Sequence, residues 1–297
     1  MTEYGYYASH EQFPPEELVE LAMLAEECGF DAVHSTNHFG AHGGEAGFAW
    51  SWLGATMCRT RVPFEVVTTP GWRFHPAQVA HSISTTCRIF PGRLVPALAS
   101  DETADQPVQS WPGHAERSAR LAESATVIRA LLSGRAESDE PFTSTAPVPG
   151  WTLPEVPPPL FGAATTPTAA AELASWADGL ITVGTRPDEV VPVASAFRAR
   201  AGPDKPVHLQ VDVAWRPSLE EAQEEALLHW SAKPVRPGRV AGDDFSEVAI
   251  VTDDAHELST RLEELAALGI DRILLHPVGT DQAGFLRSFD KEVRPLL

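Results

Sequence analysis

Eight short runs of β-type residues, each followed by a stretch with helical periodicity, constrain this chain more than any other feature. The runs are EYGYYA at 3–8, FDAVHST at 30–36, PFEVVTT at 63–69, RLVPALA at 93–99, PLFGA at 159–163, GLITV at 179–183, PVHLQVDVAW at 206–215 and RILLH at 272–276. Between the first two, Leu18, Leu21, Ala22, Leu24 and Ala25 recur at helical spacing from about Pro15, and Gly29 supplies a stop. Helical stretches follow the other runs: near Trp50, from Pro76 to about Ile89, and at 115–133, 167–177, 187–201, 218–231, 254–268 and 283–293. Strands that alternate with helices predict a parallel sheet, and eight such units predict a closed (β/α)8 TIM barrel with its site at the strands' C-terminal ends. A doubly wound open sheet is the competitor, and the absence of G-x-G-x-x-G after any run weakens it.

The 297 residues are read as one barrel domain over 1–297, interrupted by a Pro-rich excursion at 134–159. The excursion carries Pro141, Pro147, Pro149, Pro154 and Pro157 to Pro159. A second Pro/Gly/Arg-rich stretch at 232–246 leads directly into the helix at 254–268, leaving the pocket's lid around 231–254 undefined.

Charge then limits the partners. Twenty-two basic residues against 41 acidic ones give a formal charge of −19, and only Lys205, Lys233 and Lys291 are lysines. Such a surface repels nucleic acid and anionic membranes. Cys28, Cys58 and Cys87 lie far apart with no C-x-x-C spacing, which predicts free thiols in a reducing cytoplasm rather than a disulfide framework or zinc site. Neither an eighteen-residue apolar run nor a basic, apolar leader is present, so a membrane or secreted setting is not expected.

Longer motifs carry a resemblance. They are ASHEQFPPEELVELAMLAEECGFDA at 8–32, NHF at 37–39, GFAWSWLGA at 47–55, PGWRFHPAQVAH at 70–81, FPGR at 90–93 and WADGLIT at 176–182. Together they resemble the luciferase-like flavin oxidoreductases, in the branch around F420-dependent glucose-6-phosphate dehydrogenase and its non-F420 flavin relatives. The resemblance implies a bacterial-luciferase-like barrel with FMN or F420 across its mouth, and a homodimer.

It also implies site residues. His38 matches the active-site histidine beside the flavin ring, Asn37 replaces an aspartate, and His42 stands where the family has tryptophan. Glu102 keeps the catalytic acid's position, but Ala99 and Asp101 replace two glycines in A-L-G-[ST]-G-E, and Asp105 replaces a nearby asparagine. Glycine permits positive φ and close ligand approach, so these replacements bear directly on whether any cofactor is held. The family often has a non-prolyl cis peptide in the third strand, and the matching bond is Val66–Val67. Ser100 and the turn Ala164-Thr165-Thr166 are further cofactor candidates, the turn because a helix N-terminus with hydroxyls can take phosphate. An ordinary N-cap at Thr166 before Pro167 is the plainer reading of that turn. Trp50, Trp72, Arg73 and Asp101 are candidate substrate contacts.

A neutral or charged imidazole at His38 suits proton transfer from an alcohol, and the neighbouring Asp101 would raise the pKa of a buried Glu102 toward an acid's role. His34, His38 and His42 fall at spacing four, but on a strand and loop that spacing makes no metal face. The expectation is therefore a flavin- or F420-dependent oxidoreductase or monooxygenase acting on a small organic substrate other than a sugar phosphate. The alternative is a cofactor-independent enzyme on the same barrel, using His38, His42 and Glu102 for dehydration, cyclisation, isomerisation or hydrolysis.

Overall fold

The computed structural model describes residues 2–37, 47–71, 74–100, 112–134, 152–231, 245 and 248–297. Among them the chain runs β1 (Glu3–Ala8), α1 (Pro15–Glu27), β2 (Ala32–Thr36), α2 (Ala49–Met57), β3 (Phe64–Thr68), α3 (Pro76–Ile89), β4 (Leu94–Ala99) and α4 (His114–Leu132). It continues with β5 (Phe161–Ala163), α5 (Pro167–Leu173), β6 (Leu180–Val183), α6 (Pro187–Ala201), β7 (Val207–Trp215) and α7 (Leu219–Ser231). Last come β8 (Ile250–Thr252), α8 (Ala255–Ala266), β9 (Arg272–Pro277) and α9 (Gln282–Ser288).

Every pairing is parallel, and β1 through β7 follow one another in order, with β9 joining β7 to β1. Eight strands therefore close a TIM barrel, and they are the eight read from the sequence. β8 is the correction. It pairs only with the last three residues of β7, at Val213 to Trp215, outside the closed ring. Three residues, Ile250 to Thr252, are too short to announce a strand by alternation.

The local signals explain the punctuation. Proline occupies the first turn of α1, α3, α5 and α6, where a missing N–H costs no helical hydrogen bond. Gly29 takes φ +76° just beyond α1, turning the chain so that Asp31 N–H donates to the Tyr4 carbonyl and β2 starts beside β1. The Pro-rich excursion lies largely outside the described residues.

Two apolar layers form on the two faces of the strands, which is why the runs read as nearly continuous apolar sequence. Tyr6, Val33, Phe64, Leu98 and Ile273 face outward into the packing with Leu18, Ile83, Ile128, Phe197 and Leu262 of the helices. Val67, Ala97, Phe161, Ile181 and Leu274 fill the barrel's interior. No described helix is long and apolar enough to cross a membrane.

Candidate active site at the barrel mouth

Alternation along the strands assigns the interior, and register stacks it in levels. At the base, Glu65 is fully buried and receives three cationic or titratable partners: His208 Nδ1 at 2.8 Å, His34 Nδ1 at 3.3 Å and the Arg272 guanidinium. Arg272 also pairs with Glu3. Burial alone lifts the Glu65 carboxyl, but the charge and hydrogen bond of His208, with His34 and Arg272, hold it well below the usual carboxylate range. Above this base lies the apolar level of Val67, Ala97, Phe161, Ile181 and Leu274. It forms the floor of the mouth.

At the mouth, Tyr7 lies between two imidazoles, 5.1 Å from the His34 ring and 4.4 Å from that of His276. His276, at the end of β9, sits beside Asp212 of β7, its register partner. Its Nδ1 lies 2.9 Å from Asp212 Oδ1 and its Nε2 3.2 Å from Gln12 Oε1. Gln210 Nε2 donates to the same Asp212 oxygen at 3.0 Å. Gln12 Nε2 donates to the Val278 carbonyl at 2.8 Å, and Gln282 Nε2 donates to the Pro277 carbonyl at 2.9 Å. Tyr6 donates its hydroxyl proton to Gln282 Oε1, and burial raises the Tyr6 pKa far above the ordinary phenol range. Beyond this network, Arg216 bridges Glu225 and Asp281, at 3.3 and 3.5 Å. Burial raises the Glu225 carboxyl despite Arg216.

Ala99 and Ala163, at the ends of β4 and β5, project only methyl groups above the floor. Ser9 and Thr185, at the ends of β1 and β6, have buried hydroxyls with no hydrogen-bond partner among the described residues. Such orphans are rare in folded proteins and mark places for water or a ligand.

The sequence candidates divide. His38, His42, Glu102, Asp101, Trp72 and Arg73 lie outside the described residues. Asn37 is buried at the end of β2, and its N–H donates to the Val67 carbonyl at 2.9 Å. Val67 belongs to the floor, whereas Val66 faces outward into the helical packing. No described peptide bond is cis, so the bond between these valines is trans, contrary to the expectation. Ser100 is half-buried just after β4. At the β5–α5 turn the plainer reading describes the geometry: Thr166 Oγ1 accepts from Ala169 N–H as an N-cap. Thr165 is exposed, and Ala164 packs into the outer core. Trp50 is half-buried on α2 against that same core. His34 points to Glu65, and no metal-like cluster occurs among the described residues. The Asp212–His276 pair was missed. A charged residue inside a run such as VDVAW, expected to be apolar, was the available signal.

The luciferase-like monooxygenase profile matches residues 2–283. Among curated proteins, an F420-dependent glucose-6-phosphate dehydrogenase of Microbacterium testaceum is 30% identical, aligned over 99% of this chain and 97% of its own length. One from Beutenbergia cavernae is 31% identical, over 100% and 98%. Among solved structures, an F420-dependent secondary alcohol dehydrogenase in complex with an F420–acetone adduct superposes with a TM-score of 0.84 at 26% identity, covering 100% of this chain and 99% of that one. Monooxygenase RslO1 from Streptomyces bottropensis shares the fold, with a TM-score of 0.79 at 22% identity over 99% of both chains.

Proposed function

Because the chain belongs to the luciferase-like monooxygenase family, we propose that it is an F420- or flavin-dependent oxidoreductase whose substrate is a small organic molecule without a phosphate. The observation that carries this reading is the mouth itself. An apolar floor of Val67, Ala97 and Phe161 lies under two methyl-sized positions, Ala99 and Ala163, and beside the orphaned Ser9 and Thr185 hydroxyls. An apolar floor with small side chains above it and unsatisfied polar groups at the strand ends suits the face of a ring system such as a flavin or deazaflavin. Asn37, Val67 and Ser100 are the described candidates for holding it. When bound, the cofactor supplies hydride transfer, which no side chain can store.

The chain's own groups handle protons and position the substrate. His38 takes or returns the proton at the substrate oxygen, and Glu102 is the second acid–base group. The resemblance supports a homodimer, and three sparse free cysteines support a reducing cytoplasm.

The test is a titration of the purified protein with FMN and with F420, followed by absorbance and fluorescence. Saturable micromolar binding of either supports the reading. Replacing His38 with Asn then lowers turnover by at least about 10²-fold while leaving the cofactor's dissociation constant unchanged. A folded protein that binds neither cofactor sinks the redox reading and favours cofactor-free acid–base chemistry.

A further inference from the structure

We infer that Glu65 and His34 are positioning residues that act through Thr36, fixing on the β1–β2 side of the mouth a site where Thr36 and Ser9 take a ligand N–H or O–H together with an acceptor oxygen. The inference rests on the mouth being the active site, as proposed above, and it names groups that orient a ligand there.

His34 and Thr36 lie two residues apart on β2 and so share its inward face, while Val33 faces the outer core. Thr36 is half-buried, and it pairs in register with Val67 of the floor. Its Oγ1 lies 3.4 Å from His34 Nε2, and His34 Nδ1 lies 3.3 Å from Glu65 Oε2. The two oxygens of Glu65 are divided: Oε1 faces Arg272 and His208, and Oε2 faces His34. A carboxylate can only accept, so the proton of His34 sits on Nδ1. Charge in the cluster balances without His34, because Glu65 and Glu3 are matched by Arg272 and His208. His208 gives Glu65 both charge and a hydrogen bond, whereas His34 gives a hydrogen bond alone and stays a neutral ring. Its Nε2 is therefore a lone pair, to which the Thr36 hydroxyl must donate. With that proton committed inward, the Thr36 oxygen can only accept from the mouth.

Ser9 supplies the complementary half. Ala8 and Ser35 are register partners on neighbouring strands, so the residues that follow them, Ser9 and Thr36, come side by side. Tyr7 lies inside the ring against His34 and Ala8 lies in the outer core, and the same alternation returns Ser9 to the inside. Its hydroxyl is fully buried and without a hydrogen-bond partner, which marks a place for a ligand group. Ser9 can donate, and Thr36 accepts. Such a pair matches a donor next to an acceptor oxygen, as on the imide edge of a flavin or deazaflavin ring, or a carbinol, whose oxygen donates to one hydroxyl and accepts from the other. The two sources share this chemistry.

Two measurements test the inference. Nitrogen NMR of the His34 ring, in the protein without ligand, should show Nδ1 protonated and Nε2 bare. Glu65→Gln should exchange them: the amide oxygen stays with Arg272, which only donates, so the NH2 group faces His34 Nδ1 and moves the ring proton to Nε2. A protonated Nε2 in the wild type, or no exchange in folded Glu65→Gln, overturns the inference. The second measurement titrates FMN, F420 and cyclohexanol (a plain carbinol) into wild type, Thr36→Val and Thr36→Ser. Thr36→Val should weaken the probe that reaches the site by at least about fivefold, and Thr36→Ser should restore it. A loss confined to FMN or F420 assigns the donor to the cofactor ring, and one confined to cyclohexanol assigns it to the substrate. Unchanged binding of every probe, binding of none, or no restoration by Thr36→Ser refutes the site. Cofactor binding indifferent to Thr36, with cyclohexanol indifferent too, refutes it while leaving the redox reading standing. Binding of cyclohexanol alone, weakened in Thr36→Val, sinks the redox reading and leaves the site in place.

Discussion

Replacing Glu65 with Ala is expected to cost about 3–5 kcal/mol of folding stability, because it leaves a buried guanidinium and two imidazoles without their common carboxylate. Glu65 is the hub: it is fully buried, and His34, His208 and Arg272 reach it from three other strands of the ring. Glu65→Gln retains shape and hydrogen-bonding capacity, so it should lose less. Urea unfolding measured at neutral pH checks both variants. The pH dependence has a definite sign. Since the folded Glu65 carboxyl is held below its unfolded value, its contribution is complete above roughly pH 5, beyond the unfolded carboxylate's pKa of about 4.3. It fades as pH falls through the lower folded value. The stability gap between wild type and Glu65→Gln should therefore narrow on acidification. A gap of constant size down to acid pH would mean that charge at this position contributes nothing.

Phe161→Ala should remove a comparable amount, about 3–5 kcal/mol, through lost burial and the cavity left behind. The ring stands inside the barrel between Val67, Ala97, Ile181 and Leu274, with its centroid 4.9 Å from the His208 ring. Relaxation into the gap is restricted on one side, where Gly179 is backbone with no side chain to move in. The same substitution deepens the mouth, since Phe161 is part of its floor. Equilibrium unfolding gives the stability loss, and a loss under about 1 kcal/mol would show that the barrel closes over the vacancy.

The eight strands of the ring were legible because each is buried on both faces and so reads as a compact apolar run between glycine and proline signals. β8 was not, since Ile250 to Thr252 offer too few residues for a periodic pattern and follow a Pro/Gly/Arg-rich stretch. The polar interior was also hidden. Glu65 sits in FEVVT, His208 in VHLQ and Arg272 at the head of RILLH, and each reads alone as a strand-end or edge residue. Only the register of a closed ring brings these positions together around one carboxylate, because sequence distance says nothing about which strands are neighbours across the closure. Asp212 and His276 share that history: they are 64 residues apart and become partners through the β7–β9 pairing. At the cofactor side, motif resemblance pointed to Asn37 and Val67 at the strand ends. The outward orientation of Val66 follows directly from the period of two, which the same resemblance does not encode.

The way β7 is shared has a consequence for how this scaffold can change. Its residues His208 to Val213 close the ring against β9, and only Val213 to Trp215 hold β8. The connection from α7 to β8 is thus a side branch, and ring closure does not pass through it. Lengthening, shortening or exchanging β8 would alter the chain paired with the end of β7, just beyond Asp212, while leaving the eight-stranded frame intact. New ligand preferences could accumulate there as a graft on an unaltered trunk.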